Sequence, residues 1–193
     1  MKLLSFLGTR PLEETTYVYG DQKKRTSLVQ EALSSFFPID AVVLFTTAEA
    51  FTKTYPDVAL RIPGCEAVRI PSGRTEDELW DIFSIVAGEV EPNDEIVFDI
   101  THGFRSLPFI AFLSSAYIRE VKRARITAIV YGALDAMIGS ETPVFDLTPF
   151  ISILDWMGAV HSFMVHGDAG EIQKIVSEET RRAFQDPEKS DKP

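Results

Sequence analysis

The sequence of 193 residues has a single cysteine, Cys65, which excludes an internal disulfide framework and any metal site built from a cysteine cluster. That thiol reads as inert. Long apolar runs are also missing. Every hydrophobic stretch is broken by charge or turn residues well short of the roughly 18–20 residues needed to span a bilayer. Met1 leads directly into strand-like sequence without a signal-peptide pattern. A cytoplasmic protein with no membrane partner is expected. Positive charge is scarce too: 19 Lys and Arg against 29 Asp and Glu give a net charge of −10. This argues against binding long nucleic acid through a broad basic surface. A small anionic ligand remains allowed, because charges beyond a Debye length of roughly 8 Å are largely screened and a local pocket can stay positive. The dinucleotide fingerprint G-x-G-x-x-G is absent, as are internal repeats and low-complexity tracts.

What is present is 45% hydrophobic content, enough for a sizeable core. Short apolar runs at residues 2–7, 41–45, 68–71, 95–98 and 126–131, with a further one at 144–147, read as strands. Residues 12–24 form a polar connection around Tyr17, Val18 and Tyr19 that suits a lid or an edge hairpin. Helical spacing follows from Thr26 to Phe37, ended by Pro38, and a short helix is expected over 48–55. Thr75 and Glu78 have capping-box spacing ahead of Leu79, Trp80, Ile82, Phe83 and Val86. A helix is predicted from Phe109 to Tyr117. Strands alternating with helices imply an α/β fold with a Rossmann-like, mainly parallel, doubly wound sheet. From Pro149 the pattern is helical only, with a break at Gly167. The expected division is a ligand-binding domain over 1–148, a C-terminal helical extension over 149–184 and a frayed polar tail over 185–193.

Between the 95–98 strand and the next helix lies a tight polar turn, Thr101, His102, Gly103, Phe104, Arg105 and Ser106, closed by Pro108. Gly103 permits a backbone conformation or a close approach that a Cβ would block. Ser106 suits an N-cap and Pro108 the first helical turn. A strand feeding a helix N-terminus is prepared for an anion, since free N–H groups and the helix dipole point at it. Ligands of open α/β sheets collect beyond the carboxyl ends of the strands where strand order reverses. If the first strand and the 95–98 strand are neighbours there, Gly8, Thr9 and Arg10 face the turn across one crevice, bordered by Thr46, Thr47, Tyr131 and Gly132. Such a lining suits a phosphorylated, base-bearing ligand.

Each feature also has a plainer reading. Gly8 is a turn glycine in most proteins, His102 a hydrogen-bonding turn residue, and Asp99 an anchor for the neighbouring loop. Trp80 and Trp156 fit the core. His161 and His166 are five apart, not four, so no metal site is expected there. Asp99, Glu120 and Lys122 imitate a nuclease D…ExK pattern, but the last two fall near a helix end, and the match reads as accidental.

The run Asp-Ile-Thr-His-Gly-Phe-Arg-Ser-Leu-Pro over 99–108 closely resembles the signature of the CRISPR-associated Rossmann-fold (CARF) sensor domains of type III CRISPR ancillary proteins. Residues 4–9, 70–73, 78–83, 131–132, 154–156 and 167–168 are also similar to that family, so the likeness runs from residue 1 to about 180. The resemblance implies a homodimer that binds a cyclic oligoadenylate, cyclic tetra- or hexa-adenylate, in antiviral defence. It places Gly8, Thr9 and Arg10 in the first ligand loop and Thr101, His102, Gly103, Phe104, Arg105 and Ser106 in the second. No cofactor is implied. Many members append a HEPN ribonuclease with an Arg-x(4–6)-His motif, and no arginine lies at that distance before any of the three histidines here. Two expectations follow. The domain is a sensor signalling to a C-terminal effector absent from this chain, or it is a metal-independent ring nuclease in which Thr9, His102 and Arg105 assist attack of a ribose 2′-OH on its phosphate.

Overall fold

A computed structural model describes residues 1–9, 13–103 and 106–185. In chain order the elements are β1 (Lys2–Leu7), β2 (Thr15–Tyr19), β3 (Gln22–Thr26), α1 (Val29–Phe36), β4 (Ala41–Thr46), α2 (Ala48–Lys53), α3 (Tyr55–Arg61), β5 (Glu66–Arg69), α4 (Glu76–Gly88), β6 (Glu95–Asp99), α5 (Leu107–Lys122), β7 (Arg125–Gly132), a 3-10 turn (Leu134–Ala136), β8 (Glu141–Asp146), α6 (Thr148–His166) and α7 (Gly170–Gln185). Two compact units result, Met1–Thr148 and Pro149–Pro193.

In the first unit the strands form one eight-stranded sheet of order β3-β2-β8-β7-β6-β1-β4-β5. Its centre, β5-β4-β1-β6-β7, is parallel throughout, whereas β8 runs antiparallel to β7. Strands buried on both faces need apolar residues at successive positions, and β1, β4 and β6 supply them. On one face Leu3, Leu7, Val97 and Val130 pack with Leu28, with Val29, Ala32 and Leu33 of α1 and with Val58 of α3. The period-2 alternation sends Leu4, Phe6, Phe45 and Phe98 to the other face. There Phe6 lies 5.3 Å from Phe45 and 6.0 Å from Phe98, centroid to centroid. The fold is therefore α/β and Rossmann-like, a mostly parallel mixed sheet flanked by helices.

Several expectations are refined. The polar stretch after β1 is the edge hairpin, β2 with β3, and not a lid: its strands are antiparallel and β2 adds parallel to β8. The strand expected at 68–71 begins two residues earlier, at Glu66. Residues 55–61 make an additional helix with Pro56 in its first turn, where the missing N–H costs nothing. The helix expected over 109–117 runs from Leu107 to Lys122. Thr75 accepts from the Glu78 N–H at 3.2 Å, but the Glu78 carboxylate reaches the N–H of Arg74, one residue beyond the cap. Trp80 is not core. It is 68% exposed and stands edge-on to Phe83, because the apolar arc of α4 is wider than the strip that meets the sheet.

The second unit consists of α6 and α7. Gly167, at φ +69°, ends α6 by donating to Phe163 O at 2.9 Å. Asp168 Oδ1 then accepts from the Gly170 N–H at 2.9 Å to start α7. The expected tail, apart from Gln185, lies outside the described residues. Among the described residues no helix is long and apolar enough to cross a membrane.

Two lysines fasten the amino-end side of the sheet. Lys122 Nζ donates to Ala87 O and Val90 O at 2.5 and 2.6 Å, joining the end of α5 to the end of α4. Lys2 Nζ donates to Glu89 O at 2.8 Å and to Asp94 Oδ2 at 2.9 Å, and the same Asp94 oxygen accepts from the Glu91 N–H at 2.9 Å. Partial burial alone would raise the Asp94 pKa, but the Lys2 and Glu91 hydrogen bonds outweigh it and hold the carboxyl below its ordinary value. A depressed folded-state pKa contributes stability that is present above the unfolded-state value and lost as pH falls through the folded one. Urea unfolding across the acid range should therefore show a shallower loss of stability in Asp94→Asn than in the wild type, with the two curves converging at the lowest pH. Parallel curves would mean that Asp94 contributes nothing to the acid limb.

Candidate functional site at the carboxyl ends of the central strands

Strand order reverses at β1. The chain steps outward to β4 and β5, then returns to lay β6 and β7 on the other side. The carboxyl ends of β1 and β6 are thus adjacent, and the register pairs Ser5 with Asp99. Both residues interrupt apolar strands and both are completely buried. Ser5 Oγ donates to Asp99 Oδ2 at 2.6 Å and accepts from Gln30 Nε2 of α1 at 2.9 Å. The other oxygen, Asp99 Oδ1, accepts from the Thr101 N–H at 2.9 Å. Thr101 Oγ1 accepts in turn from the Gly132 N–H at the end of β7, at 2.8 Å. A buried carboxylate is costly unless hydrogen-bonded. The bonds that satisfy Asp99 are also the ones that fix the loop after β6.

That loop is shaped by two close approaches. Gly103 donates to Ile100 O at 3.1 Å. A Cβ on Gly103 would lie 3.2 Å from Ile100 O and 3.3 Å from Pro108 Cδ, so glycine relieves crowding here and is not called for by φ. Gly132 is tighter still. A Cβ there would stand 3.1 Å from Thr101 Cγ2 and Oγ1 and from Tyr17 Cε1. Gly8, by contrast, leaves ordinary room: its Cβ would sit 3.6 Å from His102 Cβ and 3.8 Å from His102 O. The loops after β1 and β6 therefore run side by side at van der Waals distance.

The structure brings together Gly8, Thr9, Thr101, His102, Gly103 and Gly132, with Thr9 exposed and the two loops otherwise half-buried around it. Tyr131 is partly buried and pairs with Phe145 of β8. Thr46 is placed differently from the crevice-lining expectation. It is fully buried and its hydroxyl points to Val68 O at 3.4 Å, bracing β4 against β5. Its neighbour Thr47 caps α2, accepting from the Ala50 N–H at 3.3 Å. Ser106 does not act as the expected side-chain cap. Its backbone is already helical, at φ −80° and ψ −13°, so the α5 N-terminus follows the loop directly with Pro108 in its first turn. Arg10, Phe104 and Arg105 lie outside the described residues. The D…ExK resemblance does not assemble, since Lys122 is bound to carbonyls at the opposite end of the sheet from Asp99. Among the described residues no group of three or more His, Cys, Asp or Glu side chains can hold a metal ion.

Three contributors escape a reading by motif: Ser5, Gln30 and Tyr17. The first signal available for Ser5 was its polar interruption of the β1 apolar run, matched by Asp99 in β6. Tyr17 forms part of the floor beneath Gly132, and burial, followed by the charge of Asp99, raises its phenol pKa to about 12. The phenol is protonated throughout the neutral range. Together these elements offer hydroxyls, loop N–H groups and a helix N-terminus at one strand-order reversal, an arrangement suited to an anionic ligand.

The chain thus has an open, mostly parallel α/β domain in which Gly8 after β1 and His102 after β6 meet at the topological switch point. No protein-family profile matches the chain. Among curated proteins, the CRISPR-associated protein MJ1674 of Methanocaldococcus jannaschii is similar to it, with 33% identity over 125 residues. The match covers 62% of this chain and 20% of the relative, so the chain spans about a fifth of the length of the curated relative it matches.

The two glycines give opposite expectations. Gly132→Ala should lower stability by about 1–3 kcal/mol through overpacking against Thr101 and Tyr17, read as a reduced urea midpoint with unchanged m-value. Gly8→Ala should stay within about 0.5 kcal/mol of wild type. Equal midpoints for the two variants would contradict the packing described for Gly132.

Proposed function

We propose that this chain belongs to a CRISPR defence system and binds a cyclic oligoadenylate, cyclic tetra- or hexa-adenylate, as a homodimeric sensor of the type III response in the cytoplasm. The observation that carries the proposal is the side-by-side approach of the Gly8 and His102 loops at the switch point. Both resemble the ligand loops of CARF domains in sequence, and the curated relative's name agrees with the setting. A two-fold dimer presents the same donor-rich turn twice, which suits a ring with an even number of nucleotides that can carry the same symmetry. Gly8, Thr9, Thr101, His102 and Gly103 would line each half-site, together with Arg10, Phe104, Arg105, Ser106, Tyr131 and Gly132. The helices after Pro149 would carry occupancy to an effector elsewhere in a longer protein.

Calorimetric titration of the purified chain with each ring, in chelator, tests this reading. One ring per two chains is expected. Gly8→Ala, which leaves the fold intact but places a methyl between the loops, should weaken binding at least tenfold, and Arg105→Ala should do the same. If neither ring binds, the proposal is refuted. The same mixtures, analysed for linear products, separate sensing from ring cleavage: products lost in Thr9→Ala and His102→Ala assign the nuclease role, and an intact ring assigns the sensor.

A further inference from the structure

In the second unit, α6 carries Phe150, Ile153, Met157, Val160 and Met164 at spacings of three, four, three and four residues. These five side chains are 58, 51, 63, 42 and 78% exposed. Alternating steps of three and four make the a/d repeat of a helix that packs knobs-into-holes against another helix. On the opposite side of α6, Ile151 and Ala159 are buried, at 3 and 0% exposure. On that side also lie the polar residues Ser152, Asp155 and Ser162. The seam is left over.

We propose that the occupant of this seam is the α6 helix of a second copy of this chain. The reading specifies which surface makes the two-fold contact, and it rests on the dimer of the proposed function without requiring its ligand. An isologous contact needs a surface complementary to itself, and an uncharged apolar seam meets that requirement. Electrostatics select the same place. The chain has a net charge of −10, so two copies repel over most of their surfaces, yet α6 has one carboxylate, Asp155, on the side away from the seam. The seam is about 22 Å long at 1.5 Å per residue. Five apolar side chains at about 60–120 Å² each supply roughly 300–600 Å² per copy, against about 800 Å² per partner in a standard interface. Leu154 and the 49% exposed Phe163, flanking the seam, add to this. In the first unit α5 also exposes Phe109, Leu113, Tyr117 and Val121. Their uniform four-residue step winds around the helix, and Tyr117 is already packed on Phe83 at 5.3 Å.

Sedimentation equilibrium of the whole chain tests the seam. The wild type should be dimeric at micromolar concentration. Met157→Glu and Val160→Glu should each raise the dimer dissociation constant at least a hundredfold with unchanged circular dichroism, and Gln173→Glu on α7, with the same charge step, should remain dimeric. A wild type that is monomeric at every concentration, whether or not it binds vesicles or another protein, overturns both the seam and the two-fold reading. A dimer that survives both seam variants overturns the seam alone. If a seam variant unfolds, the a/d side chains are structural, and cysteine crosslinking at position 157 in otherwise unaltered chains decides: a copper-oxidised disulfide dimer is expected, and none forms if the seams do not meet.

Discussion

The contact between Ser5 and Asp99 is the constraint on which the carboxyl end of the sheet depends. It joins the two strands that flank the order reversal, at 2.6 Å, between the buried apolar residues Leu4 and Phe6 of one and Phe98 and Ile100 of the other. Hydrogen bonds in such surroundings are electrostatically stronger than in water, and losing one partner leaves the other group buried without compensation. The network runs from Gln30 on α1 through Ser5 and Asp99 to Thr101 and then to Gly132 on β7. It spans the central strands and ties them to a single loop geometry.

The same network also neutralises, by hydrogen bonding, the acidic side chain nearest the loops after β1 and β6. The carboxylate closest to the crevice has both oxygens engaged by donors from below, Ser5 Oγ and the Thr101 N–H. Around it, Thr9 is exposed, and Thr101, His102, Gly103 and Ser106 are half-buried. Tyr17 adds no charge because burial and Asp99 keep it protonated.

How much of this was legible depended on the reach of each interaction along the chain. The parallel strands were visible because burial on both faces demands continuous apolar runs, as in residues 41–46 and 95–98. The helix at 55–61 was hidden because Pro56 looks like an interruption when it is a first-turn residue. Trp80 looked like core because helical spacing reports a face, and the face of α4 is wider than its contact. In the site, Gly103 and Pro108 announced a tight strand-to-helix turn within a few residues. The pairing of Ser5 with Asp99, 94 positions away, and the approach of Tyr17 to Gly132 depend on register and sheet order. No local pattern contains them.

The hairpin between β1 and α1 shows how such distant contacts organise the rest. Added to β8, it covers a strand edge that would otherwise be open to pairing with another chain. Its own outer strand, β3, carries Lys23, Lys24 and Arg25, with Lys23 and Arg25 bound to Glu141 and Glu14, which makes a poor template for edge-to-edge pairing. Its inner strand places Tyr17 under Gly132 and beside Asp99, so the hairpin also builds the floor of the crevice. The insertion therefore serves two structural ends. It terminates the sheet in a charged edge, and it supports the chain at the strand-order reversal by packing Tyr17 against Gly132. With β3 closed by charge, most of the exposed large apolar side chains lie on helices.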